Sequence, residues 1–188
     1  MKTLIIHPED NSTTFLDIVY KDIPDQTLIK GGISKEEVHE LIKEHDRVMM
    51  MGHGCPTGLF SINRFKNSNG LIIDYSTVPL LQEKQDNVFI WCNADQFVAK
   101  HDLSGFSSGM FISEVGEAYY CGLPGTKQDV VDESNYGFVN IISKYINENT
   151  EVIYENVSKE YGVIAEYNPV ALYNHNRLYK FENGIWNR

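Results

Sequence analysis

The chain has only three cysteines, no apolar run long enough to span a membrane and no basic stripe. Cys55, Cys92 and Cys121 are too few, and odd in number, for a disulfide framework, which points to a reducing compartment. Met1 to Pro8 carries too short an apolar segment for a signal peptide and has no small-residue cleavage site, so a cytoplasmic protein without a membrane partner is expected. The formal net charge is −10, with the 16 Lys and Arg scattered, so nothing tracks a phosphate backbone and nucleic acid is not an expected partner. Among the six histidines there is no i, i+4 pair with a glutamate, and no C-x-x-C occurs, so neither a metal site nor a cofactor is expected. Repeats and low-complexity breaks are also missing, and the 188 residues are taken as one domain, 1–188, with a less certain C-terminal extension from about 150.

What is present is an alternation of short apolar runs with amphipathic segments. Thr3 to Ile6 reads as an interior strand stopped by Pro8, and Ser12 to Thr14 offers caps for a helix carrying Phe15, Leu16, Ile18 and Val19. Ser34-Lys35-Glu36-Glu37 is a capping box opening a helix with Val38, Leu41 and Ile42 on one side, followed at once by the strand Val48 to Met51. Leu71 to Asp74, Val88 to Trp91 and Ser107 to Ile112 read as further strands, with helices over Thr77 to Lys84, Ala94 to Lys100, Ser134 to Asn147 and Thr150 to Glu160. Leu172 to Phe181 reads as a hairpin around an Asn-rich turn, with a helix start at Asn168-Pro169 as the alternative. Helix and strand in alternation predict an α/β fold: a three-layer αβα sandwich with a mostly parallel central sheet.

Two apolar runs end in side chains that carry chemistry. Arg47 to Met51 runs into Gly52-His53-Gly54-Cys55-Pro56, and Asn87 to Trp91 runs into Cys92-Asn93-Ala94-Asp95. If these are parallel neighbours, His53 and Cys92 emerge together at the carboxyl edge of the sheet, where open α/β sheets bind ligands. A thiol reacts as its thiolate, and a nearby imidazole can take its proton and later protonate a leaving group. The amides of Gly54 and Cys92 are candidate oxyanion donors. Asp95 is a candidate for recognising a basic side chain, as is Asp74, and Ser107 and Ser108 are candidate pocket residues. Cys55, in a Gly-rich loop rather than at a strand end, is the lesser candidate nucleophile.

A strand ending in His-Gly followed some tens of residues later by a strand ending in Cys resembles the caspase-like cysteine peptidases (clan CD), which include clostripain, gingipains and CHAT domains. The resemblance covers roughly residues 3–120. It implies a caspase-like αβα sandwich, His53 as general base and acid, Cys92 as nucleophile, Gly54 beside the oxyanion hole, a peptide or protein substrate, and cleavage through an acyl-thioester. The sequence departs from the caspase Gln-Ala-Cys-Arg-Gly signature, so specificity for aspartate does not carry over. Two readings from other classes stand beside it. One is a catalytically inactive interaction module on the same fold; the other is a flavodoxin-like domain binding a small ligand. Gly52 to Gly58 departs from the dinucleotide-binding glycine pattern at its third glycine and at Pro56. Gly31-Gly32 offers amides for an anion or a plain loop.

Overall fold

The structure, a computed structural model, describes residues 1–187 of the chain; Arg188 lies outside them. In chain order the elements are β1 (Thr3–Ile6), a 3₁₀ turn (Asn11–Leu16), α1 (Asp17–Tyr20), β2 (Gln26–Ile29), α2 (Lys35–Glu44), β3 (Arg47–Met51), β4 (Gly54–Cys55), β5 (Gly58–Phe60), β6 (Leu71–Ile73) and a second 3₁₀ turn (Tyr75–Thr77). There follow α3 (Val78–Gln82), β7 (Asn87–Ile90), α4 (Ala94–Lys100), β8 (Gly105–Ser108), α5 (Val115–Tyr120), α6 (Gln128–Tyr145), α7 (Thr150–Ala165), α8 (Pro169–His175), β9 (Leu178–Glu182) and β10 (Ile185–Asn187).

Seven strands form one sheet in the order β10-β9-β8-β7-β3-β1-β2. β2, β1, β3, β7 and β8 are parallel, and β9 and β10 are antiparallel to their neighbours. After their first residues, the central strands β1, β3 and β7 are apolar because both faces are covered, as parallel sheets require. Alternate residues part cleanly: Ile5, Met49, Met51, Val88, Ile90 and Phe106 pack with α1, α6 and α7. Leu4, Ile6, Val48, Met50, Phe89 and Trp91 pack on the other side with α2, α3, α4 and the small β4-β5-β6 sheet. This is an α/β fold of three layers.

The start of α2 follows from its sequence: the Ser34 hydroxyl accepts from the Glu37 amide and the Glu37 carboxylate accepts from the Ser34 amide. The Gly31-Gly32 loop is a plain connection, since the Gly32 amide donates to Arg64 O at 2.8 Å. Residues from 150 onward are integral to the fold, with Ile153, Val157 and Tyr161 fully buried in the main core and β9 paired to β8.

The tail departs from the expected hairpin over 172–181. Asn168 accepts from the amides of Val170 and Ala171 and Pro169 fills the first helical position, so 169–175 is helix. The hairpin comes one step later, between β9 and β10, around Asn183 (φ 48°) and Gly184 (φ 74°). The strand expected over 107–112 lies instead at 105–108. Ile112 cannot continue it, because its amide and carbonyl are both held by the buried Asn174 of α8, at 2.7 and 2.9 Å.

Candidate functional site

The carboxyl ends of β3 and β7 are level. Met51 is in register with Ile90, and His53 and Cys92 each stand two residues beyond these partners. Gly52 leaves the strand at φ +133°, a conformation that favours glycine, and turns the chain so that His53 opens the β4–β5 hairpin. On β7, Cys92 sits on an abrupt strand-to-helix turn. Asn93 adopts a left-handed conformation (φ 64°) and α4 begins at the next residue.

Both side chains line a cavity of about 30 Å³, together with Thr13, Phe15, Ser108, Phe111 and Ser113. The space admits water and is far smaller than an ordinary ligand pocket. A roof over the sheet edge is formed by the 3₁₀ turn, which is pinned to two strands at once: Thr13 Oγ1 lies 3.0 Å from His7 Nε2 at the end of β1, and Ser12 Oγ lies 2.7 Å from His53 Nε2.

Among the described residues no hydrogen bond joins His53 to Cys92. His53 Nε2 faces Ser12 and, at 3.8 Å, Asp10 Oδ1. Asp10 caps the 3₁₀ turn, accepting from the Ser12 amide at 2.9 Å and the Ser12 hydroxyl at 2.6 Å. These two bonds hold the Asp10 carboxyl below the usual carboxylate range, with a smaller contribution from His53. A serine at 2.7 Å from an imidazole also suggests a nucleophile beside its base. Here the single hydroxyl proton goes to Asp10, so Ser12 holds the ring and is not activated by it.

The Cys92 thiol lies 3.6 Å from Phe111 O and 3.9 Å from Glu117 Oε1. Burial, and then the Glu117 carboxylate, push it up to about 12, so it is protonated at neutral pH. Glu117 is fixed in place because its other oxygen accepts from the Ser113 amide, the Ser113 hydroxyl and the Glu114 amide, closing the first turn of α5.

The remaining candidates divide. Ser108 lines the cavity and donates to Trp91 O at 3.0 Å. Ser107 is fully buried and does not line it. Asp95 is also absent from its walls; the carboxylate sits beside Gly109 and near Arg177, and burial raises its proton affinity. Asp74 is committed to Lys35 at 2.6 Å, far from a role beside the thiol. Gly54 has a packing reason to be glycine: a Cβ there would lie 2.2 Å from Trp91 Cδ1, and the indole donates to Cys55 O at 3.1 Å. Cys55 Sγ contacts Thr57 Oγ1 at 3.0 Å in the exposed hairpin. Among the described residues no group of three His, Cys, Asp or Glu could hold a metal ion, and no helix is long and apolar enough to cross a membrane.

Asp10, Ser12, Phe15 and Glu117 complete the site and carry no sequence signature of it. The nearest signal is Asp10-Asn11-Ser12, whose capping pattern marks the start of a turn but not what lies above it. Comparison of the chain with family models, curated proteins and solved structures gives no match.

Proposed function

We propose that the chain is a cysteine hydrolase of the caspase-like kind, cleaving peptide bonds with His53 and Cys92. The observation that carries this reading is the level placement of the two side chains beyond registered residues of adjacent parallel strands, on one cavity at the carboxyl edge. In the reaction His53 takes the Cys92 proton as the sulfur attacks the peptide carbonyl carbon, forming the C–S bond and a tetrahedral oxyanion. His53 then gives that proton to the amine as the C–N bond breaks, leaving an acyl-thioester. Water, deprotonated by His53, attacks the thioester carbonyl, and the thiolate leaves and recovers the proton. Backbone amides near Cys92 and Gly54 are the available oxyanion donors.

The cavity has no room for a peptide, so on this reading the site must open before substrate can bind. Opening requires the 3₁₀ roof, through Phe15, or the Phe111–Ser113 loop to move. The test is a pool of internally quenched peptides covering acidic, basic and neutral residues at the cleaved position. Hydrolysis by the wild type that disappears in Cys92→Ala is the expected result. Hydrolysis that survives Cys92→Ala, or none across the pool, overturns the assignment.

A second reading, the catalytically silent interaction module, draws support from the same closure and from the thiol's position at about 12. It predicts no hydrolysis by the wild type together with an undisturbed fold in Cys92→Ala.

A further inference from the structure

The contacts around Ser12 contain more than a turn cap, because they can be counted proton by proton. An ionised carboxylate only accepts, and Asp10 Oδ1 takes both the amide and the hydroxyl hydrogen of Ser12, at 2.9 and 2.6 Å. The hydroxyl has one hydrogen. With that hydrogen committed, Ser12 Oγ meets His53 Nε2 at 2.7 Å only as an acceptor, so Nε2 must carry a proton. A neutral imidazole with Nε2–H has its lone pair on Nδ1, and among the described residues Nδ1 has no hydrogen-bond partner.

We infer that Asp10 and Ser12 are positioning residues: they fix His53 as the Nε2–H tautomer, orient its ring, and leave Nδ1 as the proton-accepting atom of the site. When Nδ1 takes a proton the ring becomes an imidazolium, and its Nε2–H remains bonded to a hydroxyl that is itself bonded to an anion. Charge on the ring is therefore stabilised by Asp10 through one intervening oxygen, with a direct Nε2–Oδ1 separation of 3.8 Å. The pair comes from the loop after β1 and the histidine from the end of β3, 41 residues apart, so the device is assembled only by the fold. Its part in turnover rests on the hydrolase proposed above; the tautomer does not.

The experiment is long-range ¹⁵N–¹H correlation on histidine-labelled protein at pH 7.5, with the His53 signals assigned by their loss in His53→Gln. The wild type is expected to show protonated Nε2 and bare Nδ1 at His53. Ser12→Ala should give a mixture of tautomers, and Ser12→Thr, which keeps a hydroxyl, should restore the single form. Peptide hydrolysis should fall at least about tenfold in Ser12→Ala and return in Ser12→Thr, because a base presenting the wrong nitrogen cannot take the thiol proton. Protonated Nδ1 in the wild type, or an unchanged single tautomer in Ser12→Ala, overturns the inference. If the tautomer behaves as stated while no peptide is cleaved, the hydrolase is what fails and the positioning pair stands. If cleavage depends on His53 but the tautomer ignores Ser12, the pair is what fails.

Discussion

Two histidines stand at the same edge of the sheet, one at the end of β1 and one beyond β3, and the same 3₁₀ turn touches both. His7 is 2% exposed, with both ring nitrogens closed off. Its Nδ1 faces Tyr20 Oη at 2.9 Å, and because that hydroxyl gives its hydrogen to Asp17, His7 must donate from Nδ1. Nε2 lies 3.0 Å from the Thr13 hydroxyl, which also reaches Asp10 O at 3.2 Å. His53, on the inference above, carries its hydrogen on the opposite nitrogen; it is part exposed, and among the described residues its Nδ1 has no hydrogen-bond partner. A residue type that can do proton chemistry does so only where the fold leaves it an open nitrogen. The first histidine is wired as structure, and the second is the one the proposed reaction would use.

That contrast makes its largest prediction in a pair of substitutions. His53→Gln should lower peptide hydrolysis about 100-fold or more, the usual loss when a general base is removed, with a stability change within about 1 kcal/mol because the ring is part exposed. His7→Gln keeps a donor and an acceptor but loses the ring, and should destabilise the fold by about 1–2 kcal/mol, the usual effect of disturbing buried hydrogen bonds. Urea unfolding and peptide hydrolysis, measured on both variants, separate the roles. If His7→Gln removes hydrolysis while leaving stability untouched, the division between structural and poised histidine is reversed.

A smaller effect is the pH dependence that follows from burial. Burial outweighs the opposing attraction of Asp17 and lowers His7 from 6.5 to about 4, so it is neutral in the fold over most of the acid range. Between those values the unfolded chain holds a proton that the folded chain does not. Stability is therefore full above about 6.5 and falls as the pH drops toward 4. At pH 5 the loss relative to pH 7.5 is about 2 kcal/mol from this group. Asp17 acts in the same direction but at lower pH: burial raises its carboxyl, the hydrogen bonds from Lys30 and Tyr20 outweigh that and leave it below its ordinary 3.8, so its share is lost only as the pH falls below about 4. His7→Gln should flatten the slope between pH 7.5 and 5, and an unaltered slope would show that other groups carry it.

Much of this arrangement was legible along the chain, and what was not has a common cause. Strands β3 and β7 announce themselves by apolar runs, and the polar residue after each run marks the sheet edge, so His53 and Cys92 could be paired before any coordinates. The capping box at Ser34 was likewise readable, because its partners are three residues apart. Ser12 read only as a helix cap, since its second partner lies 41 residues away. Neither did Glu117 or the short helix α5 stand out: six residues give too little periodicity, and the contact with Cys92 spans 25 positions. Ser107 and Ser108 look alike in sequence, yet the strand's alternation sends them to opposite faces, and only Ser108 reaches the cavity.

The thiol across the cavity resembles His7 more than His53, since it too is closed by its neighbours, and Glu117 allows that resemblance to be tested. Burial is the larger cause of the raised thiol and survives any change at position 117; the carboxylate is the second and does not. Glu117→Gln keeps the length and an oxygen able to accept from Ser113 and Glu114, so the first turn of α5 should persist. Removing the negative charge lowers the thiol toward its ordinary range by a fraction of the total displacement. At pH 8.5, where iodoacetamide reads the thiolate fraction, alkylation of Cys92 should rise about threefold to tenfold, the equivalent of half to one pKa unit. Peptide mapping separates Cys92 from the other two free thiols, Cys55 and Cys121. A rate that does not move would mean that steric closure by Phe15 and Phe111, and not the anion, keeps the sulfur quiet, and would bring Cys92 still closer to the sealed condition of His7.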